Sequence, residues 1–172
     1  IIPKFESEIT DLIFELNHLR KKTLGGTTHP KIFFQLKHIF HTLESIGSSR
    51  IEGNNTTIAE YIETKMEEEH DITNGIKEIM NLEDAMTFIE ENIKEYPINK
   101  MFIRELHKIT VADLPPPPHG EGDATPGVFR SFPVKISKSA HLPPEAFLID
   151  KYIDELVDFI NNDDGSKYDL LK

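Results

Sequence analysis

The sequence predicts an all-α fold, a helical bundle with one small β-hairpin, and three observations lead to this. Apolar residues recur at steps of three and four through most of the chain, which is the spacing of one face of an amphipathic helix. Glycine, asparagine and proline separate these stretches, as they do where helices end and begin. Residues 128–136 instead alternate apolar and polar side chains in places, which is typical of short extended strands. We therefore expect helices throughout, interrupted by a hairpin at about residues 127–144.

The helical pattern appears in six stretches, and the predicted helices span residues 5–19, 30–52, 57–71, 75–95, 100–114 and 143–160. Pro30 suits the first position of the second helix, because its missing N–H costs nothing there. Gly53 ends that helix, since glycine tolerates the left-handed conformation that is common after a helix end. Thr57 and Glu60 have the spacing of a capping box, and Asn99 can cap the fifth helix.

The two ends of the sequence indicate a longer parent protein. The chain begins at Ile1 rather than at a methionine. A further helical pattern begins at Tyr168, and one turn of an apolar helix does not stand alone in water. We therefore expect the parent protein to continue beyond Lys172.

Composition excludes several classes of protein. The chain has no cysteine, which excludes disulfides, thiolate metal sites and a cysteine nucleophile, and fits a cytoplasmic protein. Its formal net charge of −11 argues against a broad contact with a nucleic-acid backbone. No apolar run approaches the length that crosses a bilayer, so we expect no membrane contact.

Residues 48–54 are the strongest candidate site. The helical pattern runs into this segment and Gly53 follows at once, which places Glu52 at a helix C-terminus. A carboxylate there meets the negative end of the helix dipole, a mismatch of about 0.3–1 kcal/mol that a cation elsewhere can offset. The structural alternative is a simple helix end, and Ser49 and Glu52 even have capping-box spacing.

Other polar clusters have simpler interpretations. His38, His41 and His107 lack the spacing of a metal site and are better interpreted as solvated or core-edge histidines. The acidic run at 67–69 is typical of a solvated helix end. The four prolines at 115–118 predict a rigid loop, although such a stretch can also dock on an aromatic groove.

Two blocks of the sequence together resemble the Fic family. Residues 48–54 are similar to the family's inhibitory motif, which is Ser or Thr, three residues, Glu, and then Gly or Asn. The segments that resemble the start of the Fic core and its flap hairpin are 106–108, 126–130, 134–136 and 141–144. The similarity covers most of residues 30–162.

The resemblance implies a helical fold with a hairpin flap, and transfer of AMP from ATP to a hydroxyl side chain of a target protein. In the family a histidine acts as base, and a glycine-rich loop at a helix N-terminus holds the phosphates with Mg²⁺. The motif that supplies them, His-x-Phe-x-Asp/Glu-Gly-Asn-Gly/Lys-Arg, is absent from this sequence. His107 does not match it. ATP and Mg²⁺ are therefore expected as cofactors of the parent protein.

The resemblance also gives roles to individual residues. Glu52 would pair with an arginine of the absent motif and keep it from the ATP γ-phosphate, a bidentate partnership that suits arginine. Ser48 and Gly53 would position the inhibitory turn. The expected target-docking residues of the flap, where strand-like pairing would hold a target segment, are Val134, Lys135 and Ile136. Arg130 matches a family position without an assigned role, and Arg50 stands where many relatives have a small residue.

These expectations divide the chain into an N-terminal helical region, 1–72, with the inhibitory motif at 48–53, and the N-terminal part of a Fic core, 73–172. The expected partners are ATP and a target protein, with a homo-oligomer left open and no nucleic acid bound by this segment. The competing hypothesis is a non-enzymatic helical module that binds a partner through residues 115–144. A third is transfer of another phosphate-containing group, such as phosphocholine or phosphate.

Overall fold

The computed structural model describes residues 4–22, 27, 29–67, 72–136 and 138–162, and in this part of the chain the predicted all-α fold is confirmed. The helices are α1 (Glu8–Lys21), α2 (Pro30–Ile51), α3 (Ile58–Met66), α4 (Asn74–Asn92), α5 (Lys100–Thr110) and α6 (Ile149–Asn161). A single turn of 3₁₀ helix, Ala146–Leu148, leads into α6.

Local sequence determines where these helices begin. Pro30 occupies the first turn of α2, as predicted. The Thr57 hydroxyl accepts the Glu60 N–H while the Glu60 carboxylate accepts the Thr57 N–H, so the predicted capping box of α3 is confirmed. The Asn99 side chain caps α5 by accepting the Phe102 N–H, as predicted.

The core lies where α2, α3 and α4 meet. Its buried members are Ile46 of α2, Tyr61 of α3, and Ile76 and Ile79 of α4, with Met80 packed against them. Helix α4 is the central element, because it packs against α2 on one side and α5 on the other. This packing holds the C-terminal end of α2 beside the N-terminal end of α4.

A polar cluster ties the same three helices together. Glu83 of α4 accepts a hydrogen bond from the Tyr61 hydroxyl at 2.8 Å and others from Thr42 Oγ1 and Lys65 Nζ. Burial raises the pKa of Glu83, but the hydrogen bonds from Lys65, Thr42 and Tyr61 outweigh it, so the pKa is lowered. Burial and the bond to Glu83 raise the pKa of Tyr61. Glu83 is therefore ionised and holds α2 and α3 on α4.

The predicted β-hairpin at 127–144 is not observed, because residues 127–136 and 138–144 contain no strand. A ladder needs backbone N–H groups from both strands, and Pro133, Pro143 and Pro144 have none. Only a local turn, from Ser139 N to Ile136 O at 3.4 Å, is formed by backbone groups in the described part of 130–144. The segment is an irregular excursion between α5 and α6.

Some expectations fall outside this description or are left open by it. The helical pattern at Tyr168 and the acidic residues Glu68 and Glu69 lie outside the described residues, while Glu67 ends α3. The division at residue 72 stays a prediction. Within the described ranges, no helix has the length and apolar character needed to cross a bilayer.

Candidate functional site

Helix α2 ends in a Schellman turn, within the segment that resembles the Fic inhibitory motif. The Gly53 N–H donates to Arg50 O and the Asn54 N–H donates to Ser49 O, both at 3.1 Å. Gly53 has a φ of +99°, a left-handed conformation that a residue with a Cβ adopts only under strain. Glu52 caps the helix, as the sequence predicts. The turn therefore fixes the backbone of Glu52, from which its side chain extends.

Asn54 fixes this turn to the rest of the fold. Its amide nitrogen donates to Gly75 O and to Glu78 Oε2, each at 2.8 Å, and its carbonyl accepts the Thr56 N–H at 2.9 Å. One side chain thus joins the end of α2, the approach to α3 and the first turns of α4. From the sequence, Asn54 has no predicted contact of its own beyond its place in the segment 48–54. The usable signal was an asparagine directly after a helix-ending glycine, where its side chain can form an Asx turn with the residue two positions on.

Buried serines hold the last turns of α2 close to α4. Ser49 is 1% exposed and its hydroxyl donates to Ile46 O at 3.0 Å, while Ser45 is fully buried and contacts Met86 Sδ at 3.8 Å. Ser48, the motif serine, is exposed and makes no hydrogen bond within the described part of the chain. Its positioning role therefore stays a prediction.

Glu52 borders an acidic cleft of about 300 Å³. The cleft lies between the Schellman turn, the first turns of α4 and the loop after α5, and Glu78 and Glu121 also line it. Burial raises the pKa of Glu78, the hydrogen bond from Asn54 opposes this, and the charges of Glu121 and Glu52 add to the rise. The three carboxylates strengthen the negative potential of the cleft, as does the C-terminal end of α2.

The Glu52 carboxylate itself is unpaired within the residues that the structure describes. Its side chain is exposed, accepts no hydrogen bond there and forms no ion pair there. An arginine or lysine brought to this cleft from another segment or molecule would find an acceptor that needs little rearrangement. A metal ion is a poorer match, since the described residues contain no group of three or more His, Asp or Glu side chains that could hold one.

The predicted target-docking residues lie away from the acidic cleft. Val134 and Ile136 are 41% and 48% exposed, Lys135 is also exposed, and none of them lines the acidic cleft. The structure therefore keeps the two predicted sites apart. The side chains of Val134, Lys135 and Ile136 are exposed to solvent, and the strand pairing that the sequence predicts for this segment is not formed.

The base of the flap is fixed to α5 at Gly127. The Gly127 N–H donates to His107 Nδ1 at 2.9 Å, and Arg104 Nε donates to Gly127 O at 2.6 Å. Gly127 has a φ of +73°, and a Cβ there would lie 2.6 Å from Lys108 Cγ, so glycine alone fits. His107 thus has a structural contact, and His41 pairs with Glu90 at 3.1 Å.

Arg130 closes the two ends of the flap. Its guanidinium donates to Phe132 O at 2.7 Å and to Pro144 O on the returning chain. This gives Arg130 a structural role that sequence reasoning did not assign. The contact joins residues that are distant in sequence, so a motif comparison had no signal for it.

No family model and no curated protein matches this chain. Support for a function therefore comes mainly from the geometry of the turn at the end of α2 and of the contacts at Gly127. Those residues do not fit ATP or Mg²⁺ by themselves. The sequence has no glycine-rich phosphate loop, and the described part offers no carboxylate group with the arrangement of a metal site.

Replacing Asn54 with alanine should destabilise the turn at the end of α2. The change removes three hydrogen bonds, one of them to a carboxylate, and should lower the free energy of unfolding by about 1–3 kcal/mol. Urea unfolding followed by far-UV circular dichroism measures this. Asn55→Ala is the matched control, because Asn55 is exposed and has no hydrogen-bond partner in the described chain. Equal losses in both variants would contradict the clamp role of Asn54.

Proposed function

We propose that this chain is the N-terminal segment of a self-inhibited protein adenylyltransferase of the Fic type, with Glu52 as the inhibitory residue. In this proposal the parent protein transfers AMP from ATP to hydroxyl side chains of a target protein in the cytoplasm. The catalytic histidine and the phosphate-binding loop belong to a part of the parent that this sequence does not include.

The observation that carries the proposal is the unpaired Glu52 carboxylate at the end of α2. Acids are disfavoured at a helix C-terminus, and Glu52 forms no ion pair in the described residues, although Arg50 lies in the same last turn of α2. Two further carboxylates, Glu78 and Glu121, line the same cleft. Such an arrangement costs stability in isolation, and it is expected where a site waits for a cationic partner.

An arginine is the partner that fits best. A guanidinium presents a planar fork of N–H groups that binds a carboxylate with two parallel hydrogen bonds, and it is always protonated. Glu52 offers an exposed carboxylate for this pairing, and the neighbouring acids add to the attraction. An arginine held there is withdrawn from the phosphates of ATP, which is how Glu52 would inhibit transfer.

The turn itself supports a role as a fixed brake. Gly53 and Asn54 hold the end of α2 through backbone hydrogen bonds, and the Asn54 amide anchors it to α4. Because the backbone of the turn is already fixed, only the Glu52 side chain has to be ordered when it pairs with arginine. The proposed target-docking residues Val134, Lys135 and Ile136 are exposed on a segment fixed at both ends, which leaves them free to contact a target peptide.

The alternative is a non-enzymatic module that binds a partner through residues 115–144. Exposed apolar side chains in that segment favour it, including Phe132 at 62% and Leu142 at 81%. The two functions differ in their need for nucleotide, because only the adenylyltransferase requires the parent protein to bind ATP.

Labelled nucleotides test which group is transferred. The full-length parent is incubated with candidate target proteins and ATP labelled at the α- or the γ-phosphate. Transfer of AMP carries the α-label to protein and leaves the γ-label in pyrophosphate, whereas transfer of phosphate carries the γ-label to protein and leaves the α-label in ADP. Label from CDP-choline alone would indicate phosphocholine transfer. No transfer from any of them, together with no ATP binding, would reject the enzyme and leave the binding module.

A further inference from the structure

Helices α1 and α2 each carry a heptad seam. Apolar residues recur at alternating steps of three and four along both helices, at Ile9, Leu12, Leu16 and Leu19 in the first and at Ile32, Leu36, Ile39 and Leu43 in the second. The second seam leads directly into the buried core residue Ile46. This spacing places each set on one stripe of its helix and is the pattern of helices that pair side by side.

Both seams are open to solvent. On α1 the exposed fractions run from 41% at Leu16 to 56% at Ile9 and Leu12, and on α2 from 40% at Leu43 to 54% at Ile39. An isolated helix of 14 residues is marginal in water, so α1 needs an apolar partner to be stable. Apolar stripes of this length on two helices are more than scattered surface residues.

The α2 seam forms one wall of a groove, and α3 forms the other. Ile58, Ile62 and Met66 of α3 face Ile39 and Leu43 across a cavity of about 240 Å³. A second cavity of about 670 Å³ continues along α2 and shares His38 and Ile39 with the first. This second cavity is lined by α2 alone, so the groove with two walls spans residues 38–43 of α2, and an amphipathic helix is the occupant that it suits.

Charges beside the seam and beside the groove are complementary. Glu8, Asp11 and Glu15 lie at helical spacing along one side of the α1 seam. Lys31 of α2 and Lys65 of α3 border the two cavities. Acidic residues beside an apolar stripe and basic residues beside an apolar groove favour the same docked arrangement, as charges flanking a coiled-coil seam do.

We propose that α1 of one copy of this chain docks in the α2–α3 groove of a second copy, and that the exchange is mutual. Helix α1 does not cover the α2–α3 groove of the same chain, since the apolar residues of both are exposed. Each copy thus offers one free helix and one free groove. A two-fold arrangement fills both grooves at once and leaves no further sites, which limits assembly to a dimer.

Light scattering coupled to size exclusion tests this with the 172-residue chain over a wide range of concentrations. The expected mass is twice that of one chain. Leu12→Asp in the seam and Ile39→Asp in the groove should each weaken the dimer more than ~100-fold, because a carboxylate would have to be buried in an apolar contact. Phe14→Asp is the matched control, since Phe14 is 61% exposed on the opposite side of α1 and should leave the dimer intact.

Mixing the two disruptive variants distinguishes mutual exchange from a dimer held by a different surface. The Ile39→Asp copy keeps an intact α1 and the Leu12→Asp copy keeps an intact groove, so the mixture should form a weaker dimer that neither variant forms alone. A chain that is monomeric at every concentration would overturn the proposal, whether α1 folds onto its own groove or the groove takes another protein. A dimer that both variants leave unchanged would overturn it as well, because another surface would then hold the copies together.

Discussion

Glu83→Ala should lower the free energy of unfolding by about 2–4 kcal/mol, since it leaves buried donors without an acceptor. Tyr61 is fully buried and donates its hydroxyl to Glu83, and Thr42 donates from α2. The Glu83 side chain is 13% exposed, so water does not easily replace the lost contacts. Urea unfolding of the two proteins at neutral pH measures the difference.

Glu90→Ala is the matched control for Glu83. Glu90 is also on α4 and also pairs with two residues of α2, Lys37 and His41, but it is 42% exposed. Solvent screens such pairs, so the control should change stability little. Equal losses for Glu83 and Glu90 would show that the cluster around Tyr61 is no more important than a surface ion pair.

The same carboxylate predicts a pH dependence with a definite sign. The folded-state pKa of Glu83 is lowered from its ordinary value. Its ionised form therefore stabilises the fold above the pKa of the unfolded state, and this contribution is lost as the pH falls through the folded-state pKa. The stability difference between the wild type and Glu83→Ala should be constant near neutral pH and should shrink only in acid.

Glu52→Ala in the full-length parent should raise AMP transfer roughly 10- to 160-fold. Charge-assisted hydrogen bonds between Glu52 and an arginine contribute about 1.5–3 kcal/mol, and breaking them frees the arginine for ATP. The stability of the fold should change little, because the Glu52 side chain has no partner in the described chain. Glu44→Ala is the matched control, since Glu44 is an exposed acid of the same helix, well before the turn.

The helices could be predicted from sequence because their signals are local. Thr57 and Glu60, or Asn99 and Phe102, are three residues apart, so the chain that forms a cap is also the chain that encodes it. The end of α2 at Gly53 follows from the same local chemistry. The Glu52 position at a helix C-terminus was therefore predictable before any tertiary contact was known.

The contacts that fix the candidate site were not predictable, because they join distant parts of the chain. Asn54 meets Gly75 and Glu78, and Arg130 meets Pro144, and no periodicity encodes such pairs. The hairpin prediction was wrong for a related reason. Alternating side chains at 128–136 give a strand only if a partner supplies backbone hydrogen bonds, and the prolines of this segment remove donors from both sides.

The proposed role of Glu52 as the restraint on an AMP-transferase is tested most directly by labelled AMP transfer in the full-length parent. Wild type, Glu52→Ala and Glu44→Ala are compared with α-labelled ATP, and the 172-residue chain serves as a blank. We expect weak labelling by wild type and by Glu44→Ala, strong labelling by Glu52→Ala, and none by the blank. Equal labelling by all three parent proteins would contradict Glu52 as the brake, and no labelling by any of them would contradict the transferase itself.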